Sequence, residues 1–228
     1  MRDEATPHYV GHRKRLKEKF IKGPVDGFSN YEILELMLFN SIPRRDVKPI
    51  AKELLSKFGS FNSIINATKE KLLSVSGVNE TTFLNFQITK ELLQRLLLEQ
   101  VIKQNVIASW GDLVDYLKLT MSHLPIEQFR VLFLNKKNIL IESEIMASGT
   151  IDQAPVYPRE VIKRALFHEA SAIILVHNHH SGSPKPSSFD IDLTSQIVSA
   201  CKTVNISVHD HVIIGKGEYY SFKTNLLL

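Results

Sequence analysis

Two patterns of apolar positions divide the chain. Across the first hundred residues leucine, isoleucine, methionine and phenylalanine recur three and four positions apart, as in Tyr31-Glu-Ile-Leu-Glu-Leu-Met-Leu-Phe39 and Lys90-Glu-Leu-Leu-Gln-Arg-Leu-Leu-Leu-Glu99. That spacing gathers the apolar side chains on one face of a helix. With Gly and Pro as breakers, it predicts helices over 9–21, 30–39, 46–58, 69–75 and 79–101, with a short turn at 61–67. From Gln128 the grammar changes. Phe129-Arg-Val-Leu-Phe-Leu134 and Ile139-Leu-Ile-Glu-Ser-Glu-Ile145 are apolar and β-branched runs separated by Asn135-Lys-Lys-Asn138, which predicts a hairpin. Pro158 stands at a permitted first-turn position of a helix running to Phe167, and the apolar run Ala172-Ile-Ile-Leu-Val176 predicts a buried strand. A loop at 181–186, a helix over 187–204 and strands at 206–214 and 218–222 around a Gly215-Lys-Gly217 turn complete the expectation.

The change of pattern predicts a helical domain over 1–105 and an α/β domain over 106–228, divided in the polar Lys103-Gln-Asn105 segment. At 228 residues, with 43% apolar and 23% charged side chains, the chain can bury a core in each, and collagen-like or disordered classes are excluded. No apolar run approaches the roughly 18 residues that cross a bilayer, and the first twenty are charged, so the expectation is a soluble cytoplasmic protein without membrane contact. Cys201, the single cysteine, has no internal disulfide partner and reads as a packed residue of an apolar helix. The net charge of +4 is uneven: residues 1–105 carry 17 basic and 12 acidic side chains, residues 106–228 carry 11 and 12. The stretch Arg13-Lys-Arg15 with Lys17, Lys19 and Lys22, and the pair Arg44-Arg45, read as a solvated face or as a track for nucleic-acid phosphates.

Candidate chemistry concentrates at His177-Asn-His179-His180, directly after the buried strand. On an extended chain residues two apart point to one side, so His177 and His179 present their imidazoles together while Asn178 and His180 face away. Past the loop, Ser187 can cap the next helix and Asp190 falls in its first turn, where exposed N–H groups favour a carboxylate. Two imidazoles and a carboxylate make a three-ligand set, for which zinc keeps an open position and lowers the pKa of a bound water to about 7. A glutamate must then move the proton. Glu169 precedes the strand and would lie about 20 Å away at the other sheet end, which leaves Glu127, Glu142 and Glu144. The contiguous letters His-Asn-His do not make an HNH nuclease, whose residues spread over a ββα unit. The glutamate two after the first histidine and the Pro-Cys-x-x-Cys of a cytidine deaminase do not occur.

The spacing of His177-x-His179, Ser187 and Asp190 resembles the JAMM signature of JAB/MPN metallopeptidases. Val156-Tyr-Pro-Arg-Glu160, Leu175-Val-His-Asn-His-His-Ser-Gly182, Pro186-Ser-Ser-Phe-Asp190 and Asp210-His-Val-Ile-Ile-Gly215 resemble the bacterial RadC family. Its N-terminal part is matched by Leu36-Met-Leu-Phe39, Pro43-Arg-Arg-Asp-Val-Lys-Pro49, Leu55-Ser-Lys-Phe-Gly59 and Leu72-Leu-Ser-Val-Ser-Gly77, so the likeness covers nearly the whole chain. It implies an α/β fold with a JAB/MPN-type mixed sheet and flanking helices, preceded by a small all-α, helix-hairpin-helix-like domain. It implies zinc on His177, His179 and Asp190, Ser187 as the group that polarises the substrate carbonyl or steadies its oxyanion, and Glu127, rather than Glu142 or Glu144, as the base. Asp210 and His211 would line the site or orient a ligand. Two departures stand out: His180 replaces the usual proline, and in Gly77-Val78-Asn79 an asparagine takes the place of a second glycine with no lysine over 80–83. The implied activity is zinc-dependent cleavage of an amide or isopeptide bond in a protein or peptide. The other reading, from the family's traditional DNA-repair label, is nucleic-acid binding through residues 1–105.

Overall fold

The structure, a computed structural model, describes residues 11–24, 27–149 and 156–228. It divides into two compact units, residues 1–92 and 93–228. The first holds helices α1 (His12–Lys22), α2 (Asn30–Ser41), α3 (Lys48–Phe58), α4 (Phe61–Ile65), α5 (Lys69–Leu73) and the start of α6 (Glu80–Lys103). Positions 9 and 10 of the expected first helix lie outside the described residues.

Local chemistry sets these helices. A reciprocal capping box between Ser29 and Glu32 opens α2, and the bonds from the Ser29 backbone and hydroxyl hold the Glu32 carboxyl down at about 2. Arg13 donates to the carbonyls of Phe39, Ile42 and Arg45 and so closes the C-terminal end of α2. Gly77 has φ +90°, and a Cβ there would sit 2.7 Å from Ile50 Cδ1, so this turn requires glycine. Asn79 Oδ1 then accepts from the Thr82 N–H at 2.8 Å and caps α6. Leu34, Leu38, Leu54, Ile64, Leu72 and Phe86 meet in the core of this unit.

The second unit contains the end of α6, then α7 (Trp110–Met121), β1 (Gln128–Leu134), β2 (Leu140–Ser148), α8 (Pro158–Phe167), β3 (Ala172–Asn178), α9 (Ser188–Thr203), β4 (Ser207–Ile214) and β5 (Tyr219–Ser221). The division falls within α6, ahead of the polar 103–105 segment, because Leu97, Leu98 and Val101 pack into the core of the second unit. Helix α7 occupies a stretch for which the sequence reading named no element, although Leu113, Leu117 and Met121 repeat at helical spacing and are buried.

Among the described residues the sheet has five strands in the order β2-β1-β3-β4-β5. β1 pairs antiparallel with β2 and β3, β3 runs parallel to β4, and β5 returns antiparallel. β3 is buried along its whole length because both faces are covered. Ala172, Ile174 and Val176 pack with Leu113 and Leu117 of α7. Ile173 and Leu175 pack with Val161 and Ala165 of α8 and Leu193, Ile197 and Cys201 of α9. His177 continues that second face. The parallel pair β3 and β4 is joined by α9, so the end of β3 meets the start of α9, and the antiparallel β1 begins beside them. In α/β sheets this edge is where ligands collect.

Candidate metal centre

His177, His179 and Asp190 converge at the end of β3. Their candidate ligand atoms all lie within 4.8 Å of one another. His177 Nε2 is 2.9 Å from His179 Nε2 and 3.2 Å from Asp190 Oδ1, and His179 Nε2 is 3.4 Å from Asp190 Oδ2. Ligands at 2.0–2.1 Å from a tetrahedral metal stand about 3.3 Å apart, so the three atoms are spaced to share one ion. Phe129 stacks on the His177 ring at 6.0 Å with 15° between planes and limits its rotation.

The protons are placed to suit a cation. His179 Nδ1 lies 2.9 Å from the Ser183 carbonyl. A carbonyl only accepts, so His179 carries a proton on Nδ1 and turns Nε2 inward. Behind His177, its Nδ1 is 2.8 Å from His211 Nε2. Burial lowers the affinity of both His177 and His211 for a second proton. The bond to Asp190 raises that of His179. Burial works to raise the Asp190 carboxyl, but bonds from His177, His179 and Ser187 outweigh it and hold the group well below the usual carboxylate range. The donor set is a carboxylate and two imidazoles, each with its Nδ1 engaged by a partner behind it, which fits zinc.

Ser187 is the N-cap of α9 and Asp190 its third residue, joined in a capping box. Ser187 donates from its backbone N–H and from its hydroxyl to Asp190 Oδ2, each at 2.7 Å, and its oxygen accepts from the Asp190 N–H at 3.2 Å. Oδ2 is therefore held by the cap beside His179, while Oδ1 faces His177. The helix start that sequence spacing locates is also what aims the ligand.

Glu127 enters from the residue before β1. Its Oε1 accepts from the His180 backbone N–H at 3.3 Å. Asn178, buried between the two histidines, donates from Nδ2 to the Ile126 carbonyl at 3.2 Å and accepts at Oδ1 from the Gln128 N–H at 2.9 Å. These bonds bracket Glu127 on both sides. The sequence reading turned Asn178 and His180 away from the site. The structure shows the Asn178 side chain directed to the start of β1, where it and the His180 backbone N–H hold the Glu127 segment. Glu127, His179, Ser187 and Asp190 line one cavity of about 590 Å³, with Pro125, Ile126 and Phe189 at its apolar side.

The other candidates lie elsewhere. Glu142 accepts from the Ser143 N–H on the edge strand. Glu144 pairs with Arg164 and accepts from His168 at 2.7 Å, and Arg164 above all holds its carboxyl at about 2. Asp210 and His211 point to opposite faces of β4. Asp210 accepts from the His211 and Lys223 N–H groups and from the Ser221 hydroxyl, tying down the chain after β5. His211 alone reaches the centre, and its other nitrogen meets Thr194, a residue the sequence reading did not single out although it stands one helical turn after Asp190. In the basic stretch, Arg13 is spent on the end of α2 and Lys19 pairs with Glu32 at 3.0 Å. No described helix is long and apolar enough to cross a membrane.

Comparison with known proteins matches residues 107–227 to a family model described as a RadC-like JAB domain. A UPF0758 protein of Ruegeria pomeroyi is 50% identical over 218 residues, which are 95% of this chain and 97% of that protein. A UPF0758 protein of Rhodobacter capsulatus is 48% identical over 213 residues, 93% of this chain and all of that protein.

Proposed function

The chain belongs to the RadC family, and from that premise we propose that it is a zinc-dependent hydrolase of amide or isopeptide bonds. The observation that carries the reading is the convergence of two imidazole nitrogens and a carboxylate, within 4.8 Å of one another, beside an open cavity that His179 and Asp190 line. Zinc held by His177, His179 and the Asp190 carboxylate would supply Lewis acidity and lower the pKa of water at the site.

The chain's own residues do the rest. Glu127, aimed by the Asn178 clamp and the His180 N–H, takes the proton of the attacking water and returns it to the leaving nitrogen. The Ser187 hydroxyl caps α9 at rest. Turned into the cavity about χ1, it donates to the substrate oxygen as charge develops there. Pro125, Ile126 and Phe189 beside these groups favour a protein or peptide substrate with an apolar residue next to the scissile bond.

The test begins with zinc itself. The purified chain should retain about one zinc by elemental analysis after exposure to the ion, and His177→Ala and Asp190→Ala should lose it. Glu127→Gln should keep zinc and lose hydrolysis of a peptide mixture read by mass spectrometry. A wild-type protein that holds no zinc, or a Glu127→Gln protein as active as wild type, would overturn the proposal.

A further inference from the structure

The hydrogen bonds behind His177 can run in only one direction, and from that direction we infer that Thr194 and His211 are positioning residues that preset His177 as an Nε2 ligand. The inference rests on the metal-centre reading above. Thr194 Oγ1 lies 2.5 Å from the Asp190 carbonyl, one turn back on α9. A carbonyl cannot donate, so the single hydroxyl proton sits between these two oxygens. The same Oγ1 is 2.6 Å from His211 Nδ1. With its proton already committed, the hydroxyl must accept there, and His211 carries a proton on Nδ1.

His211 is fully buried, with the rings of Phe129 and Phe222 at 5.6 and 4.6 Å. Among the described residues no carboxylate bonds to its ring, and this apolar enclosure favours the uncharged imidazole. A neutral imidazole protonated on Nδ1 accepts at Nε2. That nitrogen faces His177 Nδ1 at 2.8 Å, which must therefore be the donor. Nδ1 of His177 is thereby committed, and Nε2 is the nitrogen turned toward Asp190 Oδ1 and His179 Nε2, where a bound cation would take the place of any proton shared among them.

The relay starts at the backbone of one ligand and ends on the ring of another. It couples a turn of α9 to the end of β3 through a residue of β4, and neither Thr194 nor His211 lines the cavity. Without the Thr194 hydroxyl, His211 is free to hold its proton on Nε2. It would then donate to His177 Nδ1 and place the His177 proton on the ligating nitrogen, and a metal would have to displace that proton. Loss of such an outer partner typically weakens metal binding about 10–100-fold.

The test uses the full chain with two variants of similar shape, Thr194→Val without a hydroxyl and Thr194→Ser with one. Long-range 1H–15N spectra of the zinc-free protein report which ring nitrogen of each histidine bears the proton, and chelator competition gives the zinc dissociation constant. Wild type and Thr194→Ser should show His177 and His211 protonated on Nδ1 and equal zinc affinity. Thr194→Val should lose the single tautomer and bind zinc about 10–100-fold more weakly. A wild-type spectrum with the His177 proton on Nε2 overturns the relay, and this measurement needs no variant to fold. So does a Thr194→Val protein with wild-type tautomers and affinity. A wild type that shows Nδ1 protons but binds no zinc removes the hydrolase reading and leaves the relay standing.

Discussion

Replacing Asn178 by alanine separates the scaffold that holds Glu127 from the atoms that would hold zinc in the proposed site. The change removes the bond from Nδ2 to the Ile126 carbonyl at 3.2 Å and the bond from the Gln128 N–H to Oδ1 at 2.9 Å. Each is worth about 1 kcal/mol net, with more lost where a partner stays dry. Ile126 is 47% exposed, so its carbonyl can turn to water and the penalty there stays small. The Gln128 N–H is more enclosed. Together the loss is about 1–3 kcal/mol, which for a chain of this size lowers the melting temperature by about 2–12 °C. The ligands themselves are held by other bonds. His177 pairs with Phe129 and Ile213 on its two sides, and the His179 N–H donates to the Ile214 carbonyl at 3.0 Å. Zinc affinity should therefore stay within about threefold of wild type, under 1 kcal/mol. Thermal unfolding of the zinc-free protein and chelator competition read the two quantities separately. An unchanged melting temperature, or a tenfold loss of zinc affinity, would show that Asn178 does not hold the Glu127 segment.

Two further outcomes follow from groups away from the centre. Arg164 lowers the Glu144 carboxyl from 4.5 to about 2, so its stabilisation is present above the unfolded value and is lost as pH falls through the folded one. Glu144→Gln should therefore be less stable than wild type by about 1 kcal/mol near neutrality, allowing for solvent screening. Urea unfolding at several pH values should show this gap closing from about pH 4.5 toward pH 2, and a gap of constant size would refute the pairing. Burial pushes the Cys201 thiol up to about 11, so a thiol reagent at neutral pH should modify the native protein far more slowly than the urea-unfolded chain. Equal rates would place Cys201 outside the core.

Much of this architecture is local and was legible in the order of the residues. The three- and four-residue apolar period marks the helices of the first unit, and the unbroken run at Ala172–Val176 marks a strand covered on both faces. Strand alternation pairs His177 with His179, and the cap-and-first-turn spacing of Ser187 and Asp190 places a carboxylate opposite them. Such features depend on hydrogen bonds and periods spanning a few residues, so the sequence carries them directly. Helix α7 is equally local, marked by the spacing of Leu113, Leu117 and Met121.

Other features depend on strand register, which joins residues far apart in the chain. Three glutamates were equivalent on the residues alone. The tertiary structure puts Glu144 opposite Val131, where Arg164 and His168 claim it, and brings Glu127 into the cavity because β1 starts beside the end of β3. Asn178 sits 52 residues from Ile126, so nothing in its immediate surroundings announced that it would hold the glutamate. Thr194 lies one turn from Asp190, but its partner His211 arrives only through the parallel pairing of β3 with β4. The sequence by itself determined which atoms could bind an ion, because short-range backbone geometry aims them. Only the tertiary structure decided which groups stand behind them and which way their protons point, because those contacts form when distant strands pair and the space between them is closed to water.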